Sequence, residues 1–389
     1  DVYDMGTGND RVSNNYGNDT IIGGAGVDTL DMRHEIGSSV GSKIIFNTIT
    51  AADYNNYATG SASLGLTNLS VVTSSLTVSG LETLANGAHI FYNITDGRGF
   101  TDYLYQAGTN PDFEQFYLTT LNDTFVGSNN ADTVYGYEGN DTIWAMGGND
   151  TIYGGDGNDT IFGVSGDNRL EGGAGNDLIL GGTGNDTIRG ISGNNTLYGK
   201  EGNNVITGGG FIDIIYAGKG QDTIDGGAGI DTLRFDGGTQ RVVVNLGSDI
   251  LTYDGGTLDA NRFINSWQSG GAIQTGIVTN IENVDGTVYN DTIRGNDSAN
   301  TIIAGAGNDY IFASLGDDKY DGGGGVDTVD YSLVLNTSGV NIDINTQKNA
   351  VFTASGIQYN QSLIDIENIK GSAQNDIIRG GTGVNTIYG

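Results

Sequence analysis

Aspartates recur in this chain on a nine-residue beat. Between residues 118 and 234 they stand at Asp123, Asp132, Asp141, Asp150, Asp159, Asp177, Asp186, Asp213, Asp222 and Asp231, with Asn168, Asn195 and Asn204 in the three gaps. The same beat places Asp1, Asp10, Asp19 and Asp28 near the start, and Asp291, Asp309, Asp318, Asp327 and Asp376 further on. Glycine-rich sequence precedes them, as in GGDGNDTIF (154–162) and GGAGNDLIL (172–180). Carboxylates and turn carbonyls are hard oxygen donors, and a set of about six of them suits Ca²⁺. Soft ligands are scarce, with no cysteine and two histidines in the chain.

The elements that must position these donors follow from the rest of the repeat. Residues 118–234 divide without insertion or deletion into thirteen nonapeptides. Their first six positions are rich in Gly, Asn and Asp, which favour tight turns because Gly and Asn tolerate positive φ. The last three, usually Thr-Ile-aromatic, favour extended structure. Position eight is apolar throughout, from Phe125, Val134 and Ile143 to Leu233. In a three-residue strand the middle side chain opposes its neighbours, so position eight faces inward and positions seven and nine face outward. Alternating turn and strand gives an all-β, two-sided coil of eighteen residues per turn, with aspartates eighteen apart stacked in adjacent coils.

Position-six Asp in both stacked coils defines nine strong pairs: Asp123/Asp141, Asp141/Asp159, Asp159/Asp177, Asp213/Asp231, Asp132/Asp150, Asp1/Asp19, Asp10/Asp28, Asp291/Asp309 and Asp309/Asp327. Such rows repel unless a cation lies between them. Nine Ca²⁺ would offset more than half of the formal charge of −31. Sites with Asn168, Asn195, Asn204, Asn300 or Asn385 lose a charge and bind more weakly. The consecutive Asn195 and Asn204 make 190–207 an expected weak point.

The pattern GGxGxDxUx resembles the nonapeptide of the RTX (repeats-in-toxin) calcium-binding family. The resemblance implies a parallel β-roll, type I secretion from a bacterium, and folding on meeting calcium outside the cell. It leaves the role open, because such rolls serve toxins, proteases, lipases, epimerases, adhesins and surface-layer proteins alike.

Along the chain the expected organisation is an RTX block at 1–31, a β-rich insert at 32–117, the main roll at 118–234, a second insert at 235–285, a block at 286–330, a third insert at 331–370 and truncated repeats at 371–389. Each insert is entered by G-[VI]-D-T-[LV] and left by an LETL or IEN element (81–84, 281–283, 366–368), so the inserts read as wider coils or flaps on one solenoid. Both ends of the sequence fall inside a repeat, as in a piece of a longer solenoid.

One sheet carries Val126, Trp144, Phe162, Leu180, Tyr198 and Tyr216 at position nine, an apolar ladder expected to face outward. Insert 32–117 folded over it, a contact with another subunit, and a carbohydrate-binding strip are the three readings. The other sheet carries a mixed set, beginning with Tyr135 and Tyr153. Strong acidity disfavours nucleic acid and anionic membranes, and no apolar run reaches the ~18 residues of a spanning helix. There is no HExxH and no Gly-x-Ser-x-Gly, and His34 beside Glu35 reads as a polar turn residue. No catalytic constellation is present, so the expectation is a non-enzymatic, calcium-stabilised structural protein of the bacterial cell surface or exterior that forms a surface layer, filament or adhesin stalk. It would associate with itself or a cell-surface partner. The rival is the calcium-binding region of a secreted enzyme or toxin.

Overall fold

The Thr-apolar-X triplets are strands, since branched side chains lose little by being extended and pack well on a pleated surface. The computed structural model describes residues 115–389 apart from 119, 128, 236–239, 254–255, 266–273, 336–337 and 346–348. Of residues 1–114 it describes Val2–Asp4, Arg11–Ser13, Thr20–Ile22, Thr29–Asp31, Lys43–Ile45, His89–Thr95 and Thr101–Gln106. Strands are the only regular elements among the described residues. The chain is a parallel β-solenoid, and it divides into two compact units, Asp1–Glu201 and Gly202–Gly389. That division falls inside 118–234 and not at its ends.

In the first unit two parallel ladders stack with a shift of eighteen residues. One runs Thr124–Val126, Thr142–Trp144, Thr160–Phe162, Leu178–Thr183 and Thr196–Glu201. The other runs Gln115–Tyr117, Thr133–Glu138, Thr151–Asp156, Arg169–Ala174 and Thr187–Ser192. Strands of insert 32–117 join both: Thr101–Gln106 pairs parallel with Thr20–Ile22, Lys43–Ile45 with Thr124–Val126, and Gln115–Tyr117 with Thr29–Asp31.

The second unit follows the same plan. Val205–Gly210 lies under Thr223–Ala228, and Ile214–Ala217 under Thr232–Phe235. Where the nonapeptide lapses, the ladder does not. Val242–Asn245 takes a parallel place beside Thr292–Arg294, and Asn341–Asp343 beside Ile377–Arg379. The intervening chain forms antiparallel ribbons, Arg262–Asn265 with Gln274–Thr279 and Asn349–Ala354 with Ile357–Ile364, and the second strand of each also joins a parallel ladder.

Position eight is the core. Phe125, Ile143, Ile161, Ile179, Leu197, Ile215 and Leu233 are fully buried on one sheet, and Val134, Ile152, Leu170, Ile188, Ile206 and Ile224 on the other. Each contributes about 1.5–3 kcal/mol by leaving water.

Two features go beyond the reading of the repeat. Several strands are six residues long, not three, because positions one to three continue the ladder: Tyr137 pairs with Gly155 and Glu138 with Asp156. The chain bends there without leaving the sheet, by a left-handed residue at position two. Gly is the natural occupant, but Tyr137, Met146, Val164, Ile191 and Lys200 hold φ of 66–85°. Position four is left-handed as well, and in 208–216 it is Phe211, at φ 76° and 65% exposed. Such a residue is strained by roughly 1–2 kcal/mol. Phe211→Gly is therefore expected to raise stability by about 1 kcal/mol in chemical denaturation; a loss of stability would show that the ring's contacts outweigh the strain.

The second is the position-nine ladder. Its side chains point to the outer face of their strands, as read, and that face is covered. Val126, Trp144, Phe162, Leu180 and Tyr198 are all at most 3% exposed, and Tyr216 is half-buried. The rings do stack, Trp144 on Phe162 at 3.9 Å between centroids. Period-two alternation places a side chain on the outer face of its own strand, but it cannot report what else covers that face. Of the proposed cover, insert 32–117, the part that would bear on this lies outside the described residues. The half-exposed aromatic row is on the sheet read as mixed: Tyr117, Tyr135 and Tyr153 stack at 4.8 and 5.1 Å, with Arg169 over Tyr153.

Candidate metal centre

Each position-six side chain is carried by the residue that leaves the turn and enters the strand, so it points back under the turn. Burial follows: every Asp of the pattern from Asp123 to Asp327 is at most 2% exposed. One carboxylate oxygen has a fixed task. Main-chain N–H groups of the preceding coil donate to it: Asp123 to Asp141 Oδ1 at 2.7 Å, Asp132 to Asp150 at 2.8 Å, Asp141 to Asp159 at 2.8 Å and Asp159 to Asp177 at 2.9 Å. In the second unit Asp213 donates to Asp231, Asp291 to Asp309 and Asp309 to Asp327. Asp186 and Asp222 accept in the same way from Asn168 and Asn204. The seven stacked pairs within the described residues are thus joined; Asp1, Asp10, Asp19 and Asp28 lie outside them.

The join differs from the one expected. The stacked residues meet as amide to carboxylate and not as carboxylate to carboxylate. No group of three or more acidic or histidine side chains converges among the described residues. Any cation here must draw most of its ligands from main-chain carbonyls.

The second carboxylate oxygen provides for that. Oδ2 of Asp141, Asp150, Asp159, Asp177, Asp231, Asp309 and Asp327 is buried and receives no hydrogen bond. It faces a cradle at position one. A Cβ built on Gly136 would sit 2.5 Å from Asp141 Oδ2 and against the Gly154 carbonyl oxygen of the next coil. At Gly181 the same place lies 2.5 Å from Asp186 Oδ2 and 2.8 Å from the Gly199 carbonyl, and at Gly127 it lies 2.8 Å from Asp132 Oδ2 and 2.5 Å from the Ala145 carbonyl. An unsatisfied buried carboxylate beside converging carbonyls is a costly arrangement without a cation. The donor set is all oxygen and fits Ca²⁺. When bound, the ion supplies the positive charge that offsets the buried carboxylates. The chain supplies position-six Oδ2 and the carbonyls of the flanking turns.

Electrostatics agree. Burial pushes the carboxyls of Asp141 and Asp150 up to about 8, those of Asp177 and Asp309 to about 7 and those of Asp159 and Asp231 to about 6. The N–H of the preceding coil lowers each in part, and stacked acids raise several further. A carboxyl raised in the folded state holds its proton more tightly there than in the unfolded chain. The metal-free fold is therefore favoured at acidic pH and opposed as pH rises from 3.8 towards about 8. We expect metal-free protein, stripped on a chelating resin, to keep a urea transition at pH 5 and to lose it at pH 8. A midpoint that rises with pH would contradict the burial of these groups.

Two sets of residues were not assigned to the site from the sequence. Glu282 and Glu367 occupy position six of the coils that close the second and third inserts. Their Oε2 atoms accept from Asp231 N–H and Asp327 N–H, each at 2.9 Å, as an Asp eighteen residues on would do. Their place in the resumed frame was the available signal. The other set is the position-five ladder. Asn122 Oδ1 accepts from Asn140 N–H, Asn140 from Asn158, and Asn158 from Asn176, at 2.7–2.8 Å. These bonds run from each coil to the one before it, opposite in sense to those of position six, so adjacent coils are stapled in both directions. The recurrence of Asn-Asp was visible; the direction of its bonds was not.

Asp291, Asp318 and Asp376 stand apart, since both of their oxygens have donors.

Against known protein families, the model of the RTX calcium-binding nonapeptide repeat (four copies) matches residues 6–31, 119–233 in overlapping segments, 280–329 and 364–389. No curated protein matches the chain.

Proposed function

This chain belongs to the RTX calcium-binding nonapeptide repeat family, and from that premise we propose that it is a structural protein of the bacterial exterior, building a surface layer, filament or adhesin stalk, and that it is not an enzyme. Its repeats are calcium-binding motifs, and a secreted context goes with them. The observation that carries the structural reading is the use made of the inserts. Segments that could have formed separate catalytic folds lend strands to the ladders: Val242–Asn245 and Asn341–Asp343 fill ladder places in the second unit, and Thr101–Gln106 and Lys43–Ile45 in the first. The acids that might have served acid–base chemistry are committed to coil-to-coil hydrogen bonds. No helix among the described residues is long and apolar enough to cross a membrane.

Calcium has two roles in this reading. It neutralises the buried carboxylates so that each coil closes, and it lowers the charge of −31 so that acidic neighbours pack together. The partner is a second copy of the chain or a cell-surface component, with type I secretion as the export route. The alternative, the calcium-binding region of a secreted protease, lipase, epimerase or toxin, makes the coils an accessory. Electron microscopy of the purified chain in millimolar calcium, repeated after EGTA, separates them. Ordered sheets or filaments that dissolve in EGTA support the structural reading; dispersed single particles in calcium favour the accessory one.

A further inference from the structure

Two kinds of turn precede a position-six Asp. In the first, position two is left-handed and Oδ2 of the Asp has no donor. The pairs include Tyr137 with Asp141, Met146 with Asp150, Gly155 with Asp159, Gly173 with Asp177, Gly227 with Asp231, Gly305 with Asp309 and Gly323 with Asp327. Their position-two φ values run from 76° at Tyr137 to 117° at Gly173.

In the second kind, position two is Ser or Thr and does not adopt a left-handed φ. Its own groups then fill the place under the turn. Thr287 N–H donates to Asp291 Oδ2 at 2.6 Å and its hydroxyl to the same oxygen at 2.9 Å. Ser372 N–H donates to Asp376 Oδ2 at 2.8 Å, and its hydroxyl to Oδ1 at 2.7 Å. Ser314 Oγ lies 3.2 Å from Asp318 Oδ2, which also accepts from Tyr320 OH at 2.6 Å and Gln361 Nε2 at 2.7 Å.

The turns with Asn at position six reach the same end by another route. Asn168 Oδ1 must accept from Asp150 N–H, which directs Nδ2 inward, where it donates to the Gly166 carbonyl at 3.2 Å. Asn195 and Asn204 donate likewise to the Gly193 and Gly202 carbonyls. An amide N–H stands where a cation would otherwise bridge a carboxylate and a carbonyl.

We infer that position two, together with position six, decides which turns take a calcium ion. A left-handed residue there leaves the position-six carboxylate oxygen open to the cation. A Ser or Thr there puts its own N–H or hydroxyl in the cation's place, and the turn closes without metal. The inference rests on the calcium reading of the repeats. It makes Asp291, Asp318 and Asp376 structural acids, and it explains how a chain of regular coils can hold fewer ions than it has repeats. The physical reason is competition for one oxygen: a carboxylate oxygen already holding one to three donors has fewer lone pairs to direct at a cation, and displacing those donors leaves them buried and unpaired.

The test is calcium per chain, by equilibrium dialysis of the full chain with atomic emission readout, on the wild type and two variants. Thr287→Gly removes the hydroxyl and lets the turn become left-handed, so it is expected to gain at least one ion. Met146→Thr closes the turn above Asp150 and is expected to lose at least one. A misfolded chain cannot mimic the gain, and circular dichroism in calcium verifies the fold of the variant that loses. An unchanged ion count in Thr287→Gly, or full retention in a folded Met146→Thr, overturns the inference. A wild type that binds no calcium would instead overturn the calcium reading on which it stands, so the wild-type value tells the two failures apart.

Discussion

Calcium removal at pH 8 is expected to unfold both units of this chain. The carboxylates of Asp141, Asp150, Asp159 and Asp177 in the first unit, and of Asp231, Asp309 and Asp327 in the second, each bury an oxygen with no donor. An ionised carboxylate held in this way costs several kcal/mol. A few of them together exceed the ~5–15 kcal/mol by which a domain is stable. Protonation would relieve the cost, but at pH 8 it is at best partial even for Asp141 and Asp150, whose carboxyls are pushed up to about 8. Because the position-six residues bridge coil to coil through Asp141 Oδ1 and its equivalents, losing one loosens both neighbours. Far-UV circular dichroism in EGTA should show loss of the β signal, and titration with calcium should restore it over a narrow range of concentration. Magnesium should restore much less, since it demands a small, regular octahedron of ligands. Retention of the β signal and of a cooperative melt in EGTA would mean that hydrogen bonding and the position-eight core suffice without metal.

Truncating Trp144 to alanine is expected to cost about 3–5 kcal/mol in saturating calcium, as for other large buried rings. Its side chain is 2% exposed and stacks on Phe162 at 3.9 Å with an interplanar angle of 17°. Ile143 beside it is the inward residue of the same strand, so the substitution opens a cavity on the outer face while leaving the inner core intact. Urea denaturation at fixed free calcium measures the cost, because bound ions would otherwise shift the midpoint by mass action. A change below about 1 kcal/mol is what an exposed ring would give. That result would return the position-nine ladder to the open surface, as the subunit-contact and carbohydrate-strip readings require.

The repeat was legible because its physics is local and periodic. Left-handed glycines, an inward position eight and a position-six acid can each be read from residue type and spacing. The ladders within each unit, the burial of Ile143 or Ile188 and the stacking of Asp141 beneath Asp159 all follow from a period of nine folded into a period of eighteen. The inserts were less legible. That RVVVNL is a strand could be read from its branched residues, but its parallel place beside Thr292–Arg294 could not. Nothing in 235–276 repeats the frame, so register there is set by hydrogen bonding to a coil that comes later in the chain.

By itself, then, the sequence determined that this is an all-β parallel coil, which side chains form its core, and that calcium is the cation its acids suit, because these depend on conformational preference and donor chemistry within nine residues. The tertiary structure alone decided the rest. It showed that Trp144, Phe162 and Leu180 are covered, because burial of a face depends on what else packs there. It showed that Glu282 and Glu367 replace aspartates across long insertions. And it showed that Asp291, Asp318 and Asp376 are already satisfied while Asp159 is not, because an oxygen's availability depends on the donors that surround it in space.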